Sequence, residues 1–223
     1  AFIATQGPLE GTRGHFWRMV WHNKVSLIIM LCKCKENGRN QSDQYWKSDL
    51  EVEGLKISMT NEEEVLPNLT KRTFTIDLLE PTEDENEPKQ RTVSHYQWVG
   101  WPDHDTPSDV DVHVIEKFID LISQERSGTD KSPVVIHCSA GIGRSGTLIA
   151  IYNLDIVLRE HAQNLDEVRL SVFGVVRRLR EQRWGMVNTA GQYNFIYKFV
   201  ADRIDKYLAN NSNLKPLPQK TQE

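Results

Sequence analysis

The stretch VVIHCSAGIGRSGT, Val134 to Thr147, decides the fold of this chain. Its apolar start, bounded by Pro133, is typical of a short buried strand. Apolar residues then recur at helical spacing from Leu148 to Arg159, which predicts a helix there. A strand, a glycine-rich turn and a helix start form a cradle for an anion, because backbone N–H groups point inward and the helix dipole adds positive potential.

Three side chains of this stretch predict a reactive site within the cradle. Cys138 follows the strand, where the local field is expected to lower its thiol pKa from about 8.5, and a thiolate is the attacking species in covalent catalysis. Arg144 presents a planar fork that matches two phosphate oxygens at once. The hydroxyl of Ser145 can stabilise the thiolate after phosphate leaves. This combination indicates phosphoryl transfer.

The stretch allows two other interpretations. Cys138 can be a small buried apolar residue at a strand end, without chemistry. The three glycines at positions 141, 143 and 146 also fit G-x-G-x-x-G, the dinucleotide fingerprint, which requires a strand after the helix. The following segment, Glu167 to Glu181, instead has apolar residues at helical spacing and predicts a second helix.

The string HCSAGIGRSG resembles the signature of the protein tyrosine phosphatases, and of their tyrosine-specific branch in particular. The resemblance runs from Phe2 to about Leu208. It implies an α/β fold of the α+β type, with a twisted mixed β-sheet flanked by helices. It also implies hydrolysis of phosphotyrosine in proteins through a cysteinyl phosphate, without metal or cofactor. The chain is expected to lack the family's amino-terminal segment, which carries a tyrosine that lines the cleft.

The resemblance also assigns roles around the catalytic loop. His137 precedes the nucleophile as a supporting residue, and Glu36 matches the carboxylate that holds the loop arginine. From the residues alone, Glu36 is a solvated turn residue. The residues that bind the phosphate through the loop are Ser139, Ala140, Gly141, Ile142 and Gly143.

Trp101-Pro102-Asp103-His104-Asp105-Thr106-Pro107 resembles the family's mobile Trp-Pro-Asp loop. As a bare sequence it is a turn. The resemblance makes Asp103 the acid that protonates the leaving phenolate and later accepts a proton from water. It makes Trp101 a hinge that contacts Arg144. Asp105 stands where glycine is usual, so we expect an aspartate in a backbone conformation that favours glycine, with altered loop closure.

Asn188-Thr189-Ala190-Gly191-Gln192 resembles the family motif Gln-Thr-Ala-x-Gln. Gln192 is retained, and with Asn188 it is expected to position the hydrolytic water. Arg180 and Arg183 lie one helical turn apart, close to the loop by resemblance. This pair predicts either a solvated helix face or a basic rim that binds a second acidic group on the substrate.

Composition excludes several classes. With 223 residues, 39% of them hydrophobic, the chain can bury one sizeable core. The net charge of −4 argues against nucleic acid as the main partner but not against a phosphorylated substrate, which the resemblance implies is a phosphotyrosine protein or peptide. Three cysteines give no disulfide framework, so a reducing compartment is expected: the cytoplasm, or the cytoplasmic part of a receptor. No apolar run is long enough to span a membrane. Cys32 and Cys34 lack the second pair of ligands that zinc needs.

The chain is therefore predicted to hold one catalytic domain, residues 1–209, followed by a disordered tail, residues 210–223. Within it, Leu55 to Thr60, Glu63 to Leu66 and Lys71 to Leu79 are predicted as antiparallel strands. A phosphotyrosine-binding module without catalysis is the alternative function. The joint presence of a cysteine, an arginine and an aspartate in the expected motifs favours the enzyme.

Overall fold

The computed structural model describes residues 1–47, 50–79, 88–108, 111–127, 132–162, 164–165 and 168–210. Nine strands are found in this part of the chain: Phe2–Thr5 (β1), Leu27–Met30 (β2), Lys35–Glu36 (β3), Arg39–Asn40 (β4), Leu50–Val52 (β5), Leu55–Leu66 (β6), Leu69–Leu78 (β7), Gln90–Trp98 (β8) and Val134–His137 (β9). The helices are Arg13–His22 (α1), Val112–Ser127 (α2), Gly143–Glu160 (α3), Val172–Gln182 (α4) and Ala190–Asn210 (α5).

Seven strands form one mixed sheet in the order β1-β9-β2-β8-β7-β6-β5. The pairs β1–β9, β9–β2 and β2–β8 are parallel, and the remaining pairs are antiparallel. The predicted mixed sheet with flanking helices is confirmed. Because the carboxyl ends of parallel strands meet at one sheet edge, the segments that follow β1, β2, β8 and β9 converge there.

The core lies on both faces of this sheet. All four residues of β2 are buried, and the apolar run from Leu27 to Leu31 is typical of a central strand covered on both faces. On one side, Trp17 packs edge-on against Tyr45 and Phe74. The indole N–H of Trp17 donates to the carbonyl of Tyr45 over 2.9 Å, so this buried ring keeps a polar partner. The covered sheet gives the loops at its edge a rigid base.

A small β-hairpin follows β2 where the sequence indicated only a turn. Lys35 pairs with Asn40, and Glu36 pairs with Arg39. The two connecting residues, Asn37 and Gly38, have φ angles of 50° and 76°. Positive φ at both central positions is the type I′ geometry that Asn-Gly favours, because its twist matches that of the flanking strands.

Three predicted boundaries are wrong. The helix expected from Leu148 begins at Gly143, so the end of the catalytic loop is already helical. The next helix begins at Val172, because the Ser171 hydroxyl caps it by accepting the N–H of Gly174; Glu167, its predicted start, lies outside the described residues. β6 is one strand, with register shifts near Met59 and Glu64, because ladder pairing to β7 continues through its polar centre. The predicted tail beyond Asn210 also lies outside the described part.

A buried carboxylate ties three helices together behind the sheet edge. Asp155 of α3 is 1% exposed and accepts from the Nε atoms of Arg159 and Arg203. Arg159 also binds Asp120, and Arg203 also binds Glu116, both on α2. Removal of one charge from such a network leaves the others buried without compensation. The network therefore fixes α2, which follows the Trp-Pro-Asp loop, against α3 and α5.

Asp155→Asn is expected to lower the free energy of unfolding by about 2–3 kcal/mol, because two partly buried guanidiniums lose their carboxylate. Urea unfolding measures this difference. The matched control is Glu181→Gln, which breaks the exposed ion pair with Arg177 and is expected to cost under about 0.5 kcal/mol. Equal losses in the two variants would contradict a structural role for the buried network.

Candidate active site

A cavity of about 540 Å³ lies at the carboxyl edge of the parallel strands. The predicted site residues that line it come from four separate segments: Glu36, Asp103, Cys138, Ser139, Ala140, Ile142, Gly143, Arg144, Asn188 and Gln192. Sequence reasoning missed Arg39, Gln41 and His104, which also line it. The hairpin signal Asn-Gly is the local pattern that would have drawn attention to Arg39.

Arg144 is the centre of the site and is 1% exposed. Its Nη1 and Nη2 atoms donate to the two carboxylate oxygens of Glu36 over 2.8 and 3.0 Å. Nη1 also donates to the carbonyl of Trp101 over 3.1 Å, and Nη2 lies 3.0 Å from an oxygen of Asp103. The Nε atom is buried without a hydrogen-bond partner among the described residues. The guanidinium is thus held rigidly while one donor stays free for an anion.

The loop from Cys138 to Gly143 is pressed against neighbouring backbone. Gly141 has a φ of 69°, and a Cβ there would lie 2.0 Å from the carbonyl oxygen of Thr5. Only glycine fits this approach. The helix that follows has Ile142 as its N-cap, without a side-chain capping bond. The first amides of α3 therefore have no side-chain cap and supply donors at its positive end.

Arg183 braces this loop through carbonyl oxygens, and Arg180 braces the segment before α5 in the same way. Arg183 donates to the carbonyls of Ala140 and Gly141, each over 3.1 Å. Arg180 donates to the carbonyls of Met186 and Val187 over 2.9 and 2.8 Å. Both arginines bind backbone in this structure, and the basic rim stays a prediction.

The Trp-Pro-Asp loop crosses the cavity mouth. The indole N–H of Trp101 donates to the carbonyl of Asp105 over 2.8 Å, which closes the loop on itself. The positive φ of 58° falls on His104, so the expectation that Asp105 adopts the backbone glycine favours is wrong. Asp105 instead accepts the N–H of Thr106 with its side chain over 2.8 Å. The ring of His104 lies 3.6 Å from the second oxygen of Asp103.

Gln192 closes the opposite side of the cavity and is 1% exposed. Its Oε1 atom accepts the N–H groups of Asn188 and Thr189 over 3.1 and 3.3 Å. Its amide group lies against Gly143, where a Cβ would approach Nε2 to 3.1 Å. Because Oε1 is occupied, the Nε2 donors are turned toward the catalytic loop. Asn188 lines the cavity beside it.

Val187 directly precedes Asn188 in the segment that leads into α5. Its φ angle is 59°, which is rare for a β-branched residue. It is fully buried and donates its N–H to the carbonyl of Ile142 over 3.0 Å. Such strain costs of order 1–3 kcal/mol and persists where the surroundings impose it. Here it ties the segment before α5 to the catalytic loop. No sequence pattern predicts this backbone conformation at Val187.

A chain of hydrogen bonds runs beneath Cys138. The carbonyl of Cys138 can only accept, so the His137 Nδ1 atom 3.1 Å away carries the proton. His137 Nε2 must then accept from the Tyr45 hydroxyl over 2.7 Å, and that oxygen accepts from His95 Nε2 over 2.8 Å. The tautomers follow from the network. His137 thus orients the backbone of Cys138.

Burial keeps both histidines neutral. It lowers the pKa of His137 to about 4, where the neighbouring Arg144 charge also acts, although the bond to the Cys138 carbonyl opposes the shift. Burial likewise lowers the pKa of His95 well below its usual range. Because the pKa of each histidine is lower in the folded chain than in the unfolded chain, the unfolded chain binds protons more readily. Acid therefore favours unfolding from about pH 6.5 downward, until the folded pKa is reached.

His137→Asn is expected to flatten the loss of stability on acidification. At about 1.4 kcal/mol per pH unit, His137 contributes about 2 kcal/mol of the loss between pH 6.5 and 5. Urea unfolding at the two pH values measures the slope, and His22→Asn at an exposed position serves as control. If wild type and His137→Asn lose the same free energy over this interval, the buried neutral histidine is not the cause.

Ser145 and the other two cysteines complete the surroundings. Ser145 is fully buried in the first turn of α3, and its hydroxyl has no partner among the described residues. Cys32, Cys34 and Cys138 are free thiols. Burial raises the pKa of Cys32 and of Cys34, so both stay protonated. In the described part of the chain, no group of three or more His, Cys, Asp or Glu side chains is arranged to hold a metal.

The known proteins similar to this chain include tyrosine phosphatases. A sequence model described as protein-tyrosine phosphatase matches residues 1–202. The human receptor-type tyrosine-protein phosphatase eta is 38% identical over 203 residues, which cover 90% of this chain and 14% of that protein. Tyrosine-protein phosphatase 2 of Dictyostelium discoideum is 36% identical over 214 residues, 93% of this chain and 53% of its own length.

The crystal structure of the catalytic domain of human protein tyrosine phosphatase non-receptor type 18 superposes with a TM-score of 0.77. The two sequences are 32% identical, with coverage of 92% of this chain and 69% of the other. The chain belongs to the protein-tyrosine phosphatase family. It covers 14% of the length of the human relative and 53% of the length of the Dictyostelium relative. No helix in the described ranges is long and apolar enough to cross a membrane.

Proposed function

We propose that this domain hydrolyses phosphotyrosine in proteins through a cysteinyl-phosphate intermediate. One observation carries the proposal: Cys138, Arg144, Asp103 and Gln192 line a single cavity, and the buried Nε of Arg144 has no hydrogen-bond partner among the described residues. A free guanidinium donor beside a nucleophile and a carboxylate suits a phosphate monoester. The family membership of the chain supports the same reaction.

In the first step, the Cys138 thiolate attacks phosphorus and the bond from phosphorus to the tyrosyl oxygen breaks. Arg144 and the loop amides bind the equatorial oxygens, where charge accumulates in the transition state. Asp103 gives its proton to the departing phenolate. The Ser145 hydroxyl, which has no partner in the described residues, is available to stabilise the thiolate.

In the second step, water attacks phosphorus, the sulfur–phosphorus bond breaks, and Asp103 takes the proton from water. Gln192 is suited to hold that water, because Oε1 is bound to backbone and only Nε2 is left for the cavity. Asn188 lies beside it and takes the supporting role. The product is inorganic phosphate with the thiolate regenerated.

Phosphate binding and release of the acid are coupled through Arg144. Its Nη2 lies 3.0 Å from Asp103 and also binds Glu36. A phosphate dianion on Nε and Nη2 competes with the Asp103 carboxylate for the same guanidinium. Substrate binding thereby frees Asp103, which takes up a proton from solvent and can then act as the acid at the leaving oxygen. Glu36 keeps its bidentate contact and maintains the orientation of the arginine.

The compartment follows from the same chemistry. A catalytic thiolate needs reducing conditions, which supports the cytoplasm or the cytoplasmic part of a receptor. The three free thiols agree with this assignment.

The match over residues 1–202 supports one catalytic domain ending near residue 209. The partner is a phosphotyrosine protein; the type 18 phosphatase has been solved with phosphopeptides of HER2.

Cys138→Ser is expected to abolish phosphate release from a phosphotyrosine peptide while the peptide still binds, because Arg144 and the loop amides remain. Phosphate release measures turnover, and fluorescence anisotropy measures binding. The control is Cys34→Ser, a half-buried thiol, which should keep turnover. Near wild-type turnover in Cys138→Ser would rule out the covalent route. Binding without phosphate release by the wild-type protein would favour a non-catalytic phosphotyrosine-binding module.

Asp103→Ala is expected to lower kcat for a phosphotyrosine peptide about 10²- to 10⁴-fold. An activated aryl phosphate should lose far less, since its phenolate leaves without protonation. The matched control is Asp105→Ala in the same loop, whose carboxylate contacts only the Thr106 amide among the described residues. Equal losses of Asp103→Ala on both substrates would show that Asp103 is not the proton donor.

A further inference from the structure

Three cations lie along the hairpin side of the cavity. Lys33, Lys35 and Arg39 are exposed, and the ion pairs found among the described residues do not involve them. Arg39 lines the cavity that contains Cys138. Lys33 and Lys35 line an adjoining cavity of about 420 Å³ between the hairpin and the Trp-Pro-Asp loop. We call these three residues the basic hairpin.

The carboxylates that line the cavities beside the basic hairpin are already engaged. Glu36 and Asp103 line both cavities. Both oxygens of Glu36 bind Arg144, and Asp103 lies 3.0 Å from the same guanidinium. Around the two cavities, the described lysines and arginines outnumber the carboxylates by two. The whole chain carries a net charge of −4, so this rim is locally opposite in sign to the protein.

The position of Arg39 is fixed by the hairpin. It pairs directly with Glu36 across the ribbon, so both side chains lie on the same face. The type I′ turn at Asn37-Gly38 sets the register. The base of the ribbon is closed by the N–H of Gln41, which donates to the carbonyl of Cys34 over 2.8 Å. Because Glu36 is itself bound to Arg144, the rim cation has a fixed location relative to the phosphate site.

We infer that the basic hairpin binds acidic side chains flanking the phosphotyrosine, so that the domain selects acidic phosphopeptides. The inference rests on the proposed function. A phosphotyrosine held by Arg144 directs the neighbouring residues of its peptide over the rim of the cavity. Arg39 meets an aspartate or glutamate close to the phosphotyrosine, and Lys33 and Lys35 meet one that reaches the adjoining cavity. Cations on a backbone of fixed register, without an ion-pair partner among the described residues, give charge complementarity at the rim.

The test compares two phosphotyrosine peptides that differ only in their flanks, with Asp and Glu in one and Asn and Gln in the other. Wild type should favour the acidic peptide in kcat/KM by about tenfold at low salt, and the ratio should shrink as salt screens the rim charges. Arg39→Glu should bring the ratio to about one, and the triple reversal with Lys33→Glu and Lys35→Glu should favour a peptide with lysine flanks. A ratio of one in wild type, or a preserved preference in the triple variant, overturns the inference.

Lys24→Glu is the matched control, because it makes the same charge change at an exposed site before β2, at the opposite end of that strand. It should leave the ratio unchanged; an equal effect there would mean that net charge alone sets the preference. Anisotropy with the Cys138→Ser protein measures the same peptide preference without turnover. Hydrolysis of an aryl phosphate by wild type tests the phosphatase activity without any peptide flank. A failure of the proposed function is therefore distinguished from a failure of the inferred preference for acidic flanks.

Discussion

The buried ion pair between Arg144 and Glu36 is the interaction on which the rest of the site depends. A guanidinium at 1% exposure is costly unless its donors are satisfied with good geometry. Glu36 supplies the bidentate partner, and the Trp101 carbonyl takes a further contact. Removal of Glu36 would leave a buried charge and free the arginine to rotate. The pair thus joins the hairpin, the Trp-Pro-Asp loop and the catalytic loop.

The parallel half of the sheet makes that meeting possible. Strands β1, β2, β8 and β9 end at one edge, so Cys138, the hairpin with Glu36 and the Trp-Pro-Asp loop follow neighbouring strands. The tight approach of Gly141 to Thr5 and the strained Val187 show how closely these segments are pressed together. Strain of this kind persists because many contacts around it hold one arrangement. The network around Asp155 anchors the helix behind the acid loop in the same way.

Much of the site could be predicted because its signals are local. The glycine-rich turn that carries Cys138 and Arg144 is contiguous, and an anion cradle follows from its residue order. The fold class follows from the same stretch and its resemblance. Boundaries were less accurate: the helix predicted from Leu148 starts at Gly143, and β6 is continuous through polar residues. Both errors arise where hydrogen bonding, which apolar periodicity does not report, sets the element.

The sequence by itself determined the anion cradle and the place of Cys138 within it, since both depend on residues adjacent in the chain, and the resemblance of its motifs to a known family implied the sheet class. Only the tertiary structure decided which distant groups meet. The positive φ falls on His104 rather than Asp105, Gln192 binds backbone with its oxygen, and Arg39 lies across from Glu36. These facts depend on register and strand order, because contacts between remote segments are fixed by how the whole core packs. Local patterns carry no information on that packing.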